Sequence, residues 1–147
     1  MRKIERLFVH CTAGSQRQTL ADLQGEFRRK RWRNPGYHYV IFPDGTVHQL
    51  ADDGIVANGV YGYNRTGLHV AYVGGIDAQG RAVDNRTAAQ KEALLRVLRM
   101  LRRRYPAAVI LGHRDISPDR NGNGRVDPWE RIKECPCFDA RSEYADI

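Results

Sequence analysis

The sequence predicts an α/β (α+β) fold, a central mixed β-sheet flanked by helices, built as a single domain over residues 1–147. Three observations carry this prediction. Short runs of β-branched and aromatic residues recur along the chain at strand length. Two longer segments space their apolar residues for one helix face, each behind a threonine suited to cap it. No repeat, low-complexity tract or linker separates these segments, and 147 residues suffice for one core that buries roughly two thirds of the unfolded surface.

Residues 5–11 alternate and then run apolar, a strand that delivers His10 near its end before the loop Thr12-Ala-Gly-Ser15. Cys11 points to the opposite face of that strand, into the core. Thr19 caps a helix over residues 20–32, in which Leu20, Leu23, Phe27 and Arg31 share a face and Asp22 sits in the first turn. Asn34-Pro-Gly36 ends it. Residues 37–42 and 46–50 flank the turn Pro43-Asp-Gly45 and read as a hairpin. Residues 51–66 are glycine-rich and aperiodic, a loop long enough to suggest function.

A further strand covers residues 68–73, closed by Gly74-Gly75. Thr87 then caps the strongest helix, residues 88–104, with Leu94, Leu95, Leu98 and Leu101 apolar and arginines opposite. Tyr105-Pro106 stops it. Residues 107–111 form a short buried strand that presents His113 just past its end, and a last short helix runs from Phe138 or Asp139 towards Tyr144.

The net charge is +7, with basic runs at residues 28–31 and 102–104. Such an excess attracts polyanions, either nucleic acid or an anionic cell envelope. Neither run has the aromatic interleaving of a nucleic-acid module, so no nucleic-acid partner is expected. No apolar stretch approaches a bilayer span, which argues against membrane insertion, and Met1-Arg-Lys-Ile-Glu-Arg6 lacks the apolar run of a secretory signal. The expectation is a monomer synthesised in the cytoplasm. Three cysteines, two of them in Cys135-Pro-Cys137, make no disulfide framework and suit thiol or metal chemistry.

The last third of the chain carries that chemistry. His113 and Cys135 place an imidazole and a thiolate at the two ends of one loop, a common way to assemble a zinc site from distant parts. Cys137 competes with Cys135 for the metal on spacing alone. The third donor is His10. Two imidazoles and one thiolate leave a fourth position for water, the arrangement of catalytic rather than structural zinc. His38, His48 and His69 read as structural or exposed.

Between these donors, Asp119-Arg-Asn-Gly-Asn-Gly-Arg-Val-Asp-Pro-Trp-Glu130 follows the EF-hand calcium loop over its full length. Asp119, Asn121 and Asn123 take the first, third and fifth positions, Arg125 offers its carbonyl, and Glu130 stands at the bidentate end. Pro118 and Pro128 fit poorly with the paired helices of a full EF-hand. The pattern predicts a structural calcium that orders the segment leading to Lys133 and Cys135.

Several motifs in this order resemble one family. Phe8-Val-His10-Cys-Thr-Ala13, Gly36-Tyr-His-Tyr-Val-Ile41 with Asp44-Gly-Thr46, Gly62-Tyr-Asn64, Val73-Gly-Gly-Ile-Asp77, Gly112-His-Arg114 and Lys133-Glu-Cys-Pro136 look like the zinc-dependent N-acetylmuramoyl-L-alanine amidases. That family includes phage lysozymes of the amidase type and shares its fold with peptidoglycan recognition proteins. The resemblance implies zinc on His10, His113 and Cys135, a catalytic tyrosine at Tyr37 and a catalytic lysine at Lys133. It implies hydrolysis of the amide between N-acetylmuramic acid and L-alanine in peptidoglycan, as in a phage or prophage endolysin that reaches the wall on lysis or through a holin-type pore.

In that chemistry zinc lowers the pKa of its water and polarises the carbonyl, while Lys133 and Tyr37 stabilise the charge that develops. The chain departs from the family pattern in two places. Asn58-Gly-Val-Tyr61 stands where members often carry a loop histidine, and the segment between His113 and Lys133 is longer than in the shortest phage members. The alternative reading is a peptidoglycan-binding recognition domain without catalysis. A complete His, His, Cys set argues for the enzyme, since a binder needs no thiolate.

Overall fold

The computed structural model describes residues 2–147. In chain order it contains β1 (Arg6–Cys11), α1 (Leu20–Arg29), β2 (Tyr39–Ile41), β3 (Val47–Gln49), β4 (Gly67–Tyr72), α2 (Ala88–Arg104), β5 (Val109–Gly112) and α3 (Ala140–Glu143). The strands form one sheet in the order β3-β2-β4-β1-β5. Only the β2–β3 hairpin is antiparallel; β1 pairs in parallel with both β4 and β5, and β2 with β4.

The period of two along β1 divides its side chains between two layers. Leu7, Val9 and Cys11 join Leu94, Leu98 and Leu101 of α2 in the main core, together with Phe138 and Tyr144 near α3. Phe8 goes to the other side with Val60 and Leu111, and His10 follows it. Leu23 and Phe27 of α1 pack with Val40 and Val73 in a smaller cluster. Because β1 lies between two parallel neighbours, it is buried from end to end apart from Arg6.

Helix α2 occupies the predicted span because its ends are written locally. Thr87 and Gln90 form a reciprocal capping box. The Gln90 amide also donates to the carbonyls of Ile41 and Val73 at 3.1 and 3.0 Å, tying the helix to the sheet.

Helix α1 ends three residues before the predicted Trp32. Arg31 adopts a φ of 58° and so leaves the face it was expected to share with Leu23 and Phe27. The chain then turns back, letting the Trp32 ring stack on Phe27 with centroids 5.8 Å apart. The predicted strand at residues 37–42 shortens to Tyr39–Ile41, which frees Tyr37 from the ladder.

The loop matching the calcium pattern does not form the paired helices of an EF-hand. It carries one short 3₁₀ turn, Pro128–Glu130, with proline in its first turn. Asp119 accepts from the backbone N–H groups of Gly122, Asn123 and Gly124. Glu130 is 2% exposed and accepts from the backbone N–H groups of Arg120, Asn121 and Asp127. Asn121 and Asn123 accept from the N–H groups of Asn123 and Arg125 and donate to Asp127. The ordering device expected of calcium is thus supplied by the loop's own hydrogen bonds, and the structure lends calcium on Asp119, Asn121, Asn123, Arg125 and Glu130 no support.

Candidate active site

Three elements bring the candidate donors together. His10 is the penultimate residue of β1, His113 opens a 3₁₀ turn directly after β5, and Cys135 follows the long loop. Asp115 holds the turn at His113 by accepting from the Gly112 N–H at 2.7 Å. The Cys135 carbonyl accepts from the Arg114 N–H at 2.8 Å, and the Tyr72 hydroxyl donates to the Pro136 carbonyl at 2.7 Å. These bonds fix the end of the loop against the sheet.

The result is one donor group. One ligand atom from each of His10, His113 and Cys135 lies within 4.8 Å of the others, and among the described residues no other three His, Cys, Asp or Glu side chains gather so closely. His10 Nδ1 is 3.7 Å from Cys135 Sγ. Tetrahedral zinc with bonds of roughly 2.0–2.3 Å would space its ligand atoms about 3.5 Å apart, so the set is the right size as well as the right chemistry. Burial keeps His10 well below its ordinary pKa, with His69, His113 and Lys133 adding to the effect. His113 is lowered to about 4, first by burial and then by the Lys133 charge. Both imidazoles are therefore neutral at pH 7, as metal ligands must be.

Cys137, the competing thiol, faces elsewhere. Its sulfur is 3.9 Å from Cys11 Sγ and donates to the Gly75 carbonyl at 3.5 Å. The contact with Cys11, then burial, pushes its pKa up. Cys11 itself lies in the core at 3% exposure, and its contact with Cys135, more than burial, pushes its thiol up to about 12.

The donors lie in a cleft of about 720 Å³ whose walls include Phe27, Trp32, Tyr37, Tyr61, Ile132 and Lys133. Tyr37 packs on His10 with ring centroids 5.3 Å apart and edge-on against Phe27 at 5.9 Å. Burial, then the sulfurs of Cys135 and Cys11, hold its hydroxyl well above the ordinary value, so it is a neutral hydrogen-bond donor. Lys133 is exposed on the cleft wall two residues before Cys135. Tyr61 is 98% exposed at the rim. A cleft of this size with aromatic walls and convergent polar groups has the character of a ligand-binding site.

Of the histidines expected to be structural or exposed, His48 is exposed on β3, whereas His38 and His69 are fully buried. His69 is the residue that the sequence reading missed. Its Nδ1 is 2.9 Å from His10 Nε2. The relation depends on the parallel register that sets His69 beside Phe8, which no local pattern in the sequence encodes.

Comparison with known proteins gives a consistent family and fold. A family model described as N-acetylmuramoyl-L-alanine amidase matches residues 1–130. An endolysin of Enterobacteria phage K11 is 38% identical over 136 residues, covering 91% of this chain and 81% of that protein. Among solved structures, the N-acetylmuramoyl-L-alanine amidase LysC from Clostridium intestinale superposes with a TM-score of 0.74 at 20% identity, covering 97% of this chain and 82% of that one. Drosophila PGRP-LB superposes with a TM-score of 0.71 at 16% identity, covering 99% and 82%. These two structures share the fold.

Proposed function

The chain belongs to the N-acetylmuramoyl-L-alanine amidase family and is an enzyme of that class; from this premise we propose that it cleaves peptidoglycan at a zinc ion held by His10, His113 and Cys135. The bond cut is the amide joining the lactyl group of N-acetylmuramic acid to L-alanine. The observation that carries the metal is the single His, His, Cys donor group set in the cleft. When bound, zinc supplies Lewis acidity that activates water and polarises a carbonyl. A pure recognition role would leave the thiolate without a purpose.

The protein's own groups divide the remaining work. The Lys133 ammonium stands on the cleft wall, near enough to depress both donor histidines, and sets positive charge where an oxyanion develops. The Tyr37 hydroxyl, held protonated, donates a hydrogen bond to the same developing charge or to the attacking water. Phe27, Trp32 and Tyr61 offer apolar faces to the sugar rings and peptide stem. The net charge of +7 favours approach to anionic wall polymers. Among the described residues no helix is long and apolar enough to cross a membrane. Calcium has no part in the proposal.

A digest of purified peptidoglycan tests it. New alanine amino termini without new reducing sugar ends, lost with a strong chelator and restored by zinc, are the expected result. Muropeptide binding with no release under any metal condition would instead make this chain a recognition domain.

A further inference from the structure

The His69 ring is held in one defined orientation by its neighbours. Its ring is sandwiched between Phe8, at a centroid distance of 5.4 Å and 7° from parallel, and His38, at 5.7 Å and 9°. The ring has room because residue 59 is glycine: a Cβ there would collide with the imidazole. His38 in turn is fixed by two backbone groups of the same strand residue, accepting from the His69 N–H at its Nδ1 and donating its own N–H to the His69 carbonyl. This stack aims His69 Nδ1 at His10 Nε2, 2.9 Å away, inside a region where all three histidines are at most 1% exposed. Among the described residues the other nitrogen of His69 has no partner.

A neutral imidazole carries one N–H, so two arrangements compete across the 2.9 Å contact. If His69 donated, the His10 proton would sit on Nδ1, the atom that faces Cys135, and block it as a ligand. If His10 donates, its Nδ1 lone pair is open to a metal and His69 carries its proton on the partnerless Nε2. Zinc ligation through His10 Nδ1 selects the second arrangement. We propose that His69 is the positioning residue of the metal centre, accepting the His10 Nε2 proton and so holding His10 in the tautomer and orientation that present Nδ1 to zinc.

Metal-bound histidines usually give this proton to a carboxylate, a backbone carbonyl or water. Here the acceptor is a second imidazole from the adjacent parallel strand. It adds no negative charge beside the ligands, so the cationic character of the centre is not offset from behind. The inference rests on the zinc reading above.

The test reads the tautomers directly. In protein with ¹⁵N-labelled histidine, long-range ¹H–¹⁵N correlation spectra with zinc bound should show protonated Nε2 and unprotonated Nδ1 on both His10 and His69. A His69 protonated on Nδ1 in the zinc-bound protein overturns the proposal. Zinc affinity, measured by competition with a chromophoric chelator, gives a second readout. His69→Phe keeps a flat ring but no acceptor and should weaken binding about 10- to 100-fold; His69→Gln, which restores an acceptor, should recover most of it. Wild-type affinity in folded His69→Phe also overturns the proposal, and if that variant does not fold, the wild-type spectra decide. Failure of the wild-type chain to bind zinc at all would remove the zinc reading and this inference with it, whereas zinc binding with the opposite tautomer removes only the inference.

Discussion

The backbone N–H of Cys11 donates to the sulfur of Cys135 at 3.2 Å. The strand that presents His10 therefore also orients the candidate sulfur donor, through the very next residue.

That contact separates the two cysteines of the Cys-Pro-Cys segment. Cys135→Ser should weaken zinc binding by more than the roughly 100-fold expected for a lost supporting contact, and abolish amidase activity. Cys137→Ser should keep one zinc per chain and lower stability by about 1 kcal/mol, because its sulfur faces Cys11, the Gly75 carbonyl and the edge of the main core rather than the candidate donor histidines. Metal content after gel filtration distinguishes the two variants. Equal loss of zinc from both would contradict the assignment.

Tyr37→Phe keeps the packing on His10 and Phe27 and deletes only the hydroxyl. We expect kcat to fall about 10²- to 10³-fold with zinc content unchanged. Lys133→Ala should behave in the same way, since the residue is exposed and supports no core contact. Steady-state kinetics beside a zinc titration checks both. A large rise in KM with kcat intact would make these groups substrate holders only.

Glu130 accepts three backbone N–H groups from a position that is 2% exposed. Glu130→Ala would leave those donors unpaired, at a cost of about 2 kcal/mol in urea denaturation. Faster hydrogen exchange should be confined to residues 119–131. Millimolar calcium should leave the wild-type midpoint where it is, and a marked rise would restore the EF-hand reading.

Arg86 lies under the C-terminal helix, its guanidinium 3.3 Å from the Phe138 ring centroid and paired with both Asp84 and Glu143. Burial raises the Asp84 pKa, but the hydrogen bonds from Arg86 outweigh it and the net shift is downward. Glu143 is lowered mainly by the same guanidinium. A carboxyl whose folded pKa is depressed contributes stability above its unfolded value and loses it as pH falls through the folded value. The thermal midpoint should accordingly hold from pH 7 to about 4.5 and drop below that, over the range under the ordinary values of 3.8 and 4.5. Arg86→Leu should flatten this drop and cost about 2 kcal/mol at pH 7, less than for a fully buried pair because both carboxylates remain partly hydrated. An unchanged acid limb in Arg86→Leu would assign the transition to other carboxyls.

Legibility in the sequence followed the range of the forces involved. The α2 boundaries were readable because Thr87, Gln90 and Tyr105-Pro106 act within a turn. The end of α1 was not, because Trp32 leaves the helix for a tertiary contact with Phe27. Tyr37 looked like a strand residue and lies outside the ladder, where it reaches the cleft. His10 and His113 could be named as candidate donors from residue type and position, whereas Cys135 was separated from Cys137 only by the family resemblance, because both cysteines lie at the same end of the loop. His69 could not, because its partner is chosen by strand register and its space by Gly59, ten positions away in sequence.

The central place of β1 has a consequence for how the chain is made. It is synthesised before both strands that flank it, residues 67–72 and 109–112, which come much later. During vectorial synthesis the apolar run Leu7-Phe-Val9 must wait with both edges unpaired, the condition that invites intermolecular strand pairing. The same delay postpones the meeting of His10 with His113 and Cys135. The three candidate donors can therefore gather only after residues 109–135 have been made.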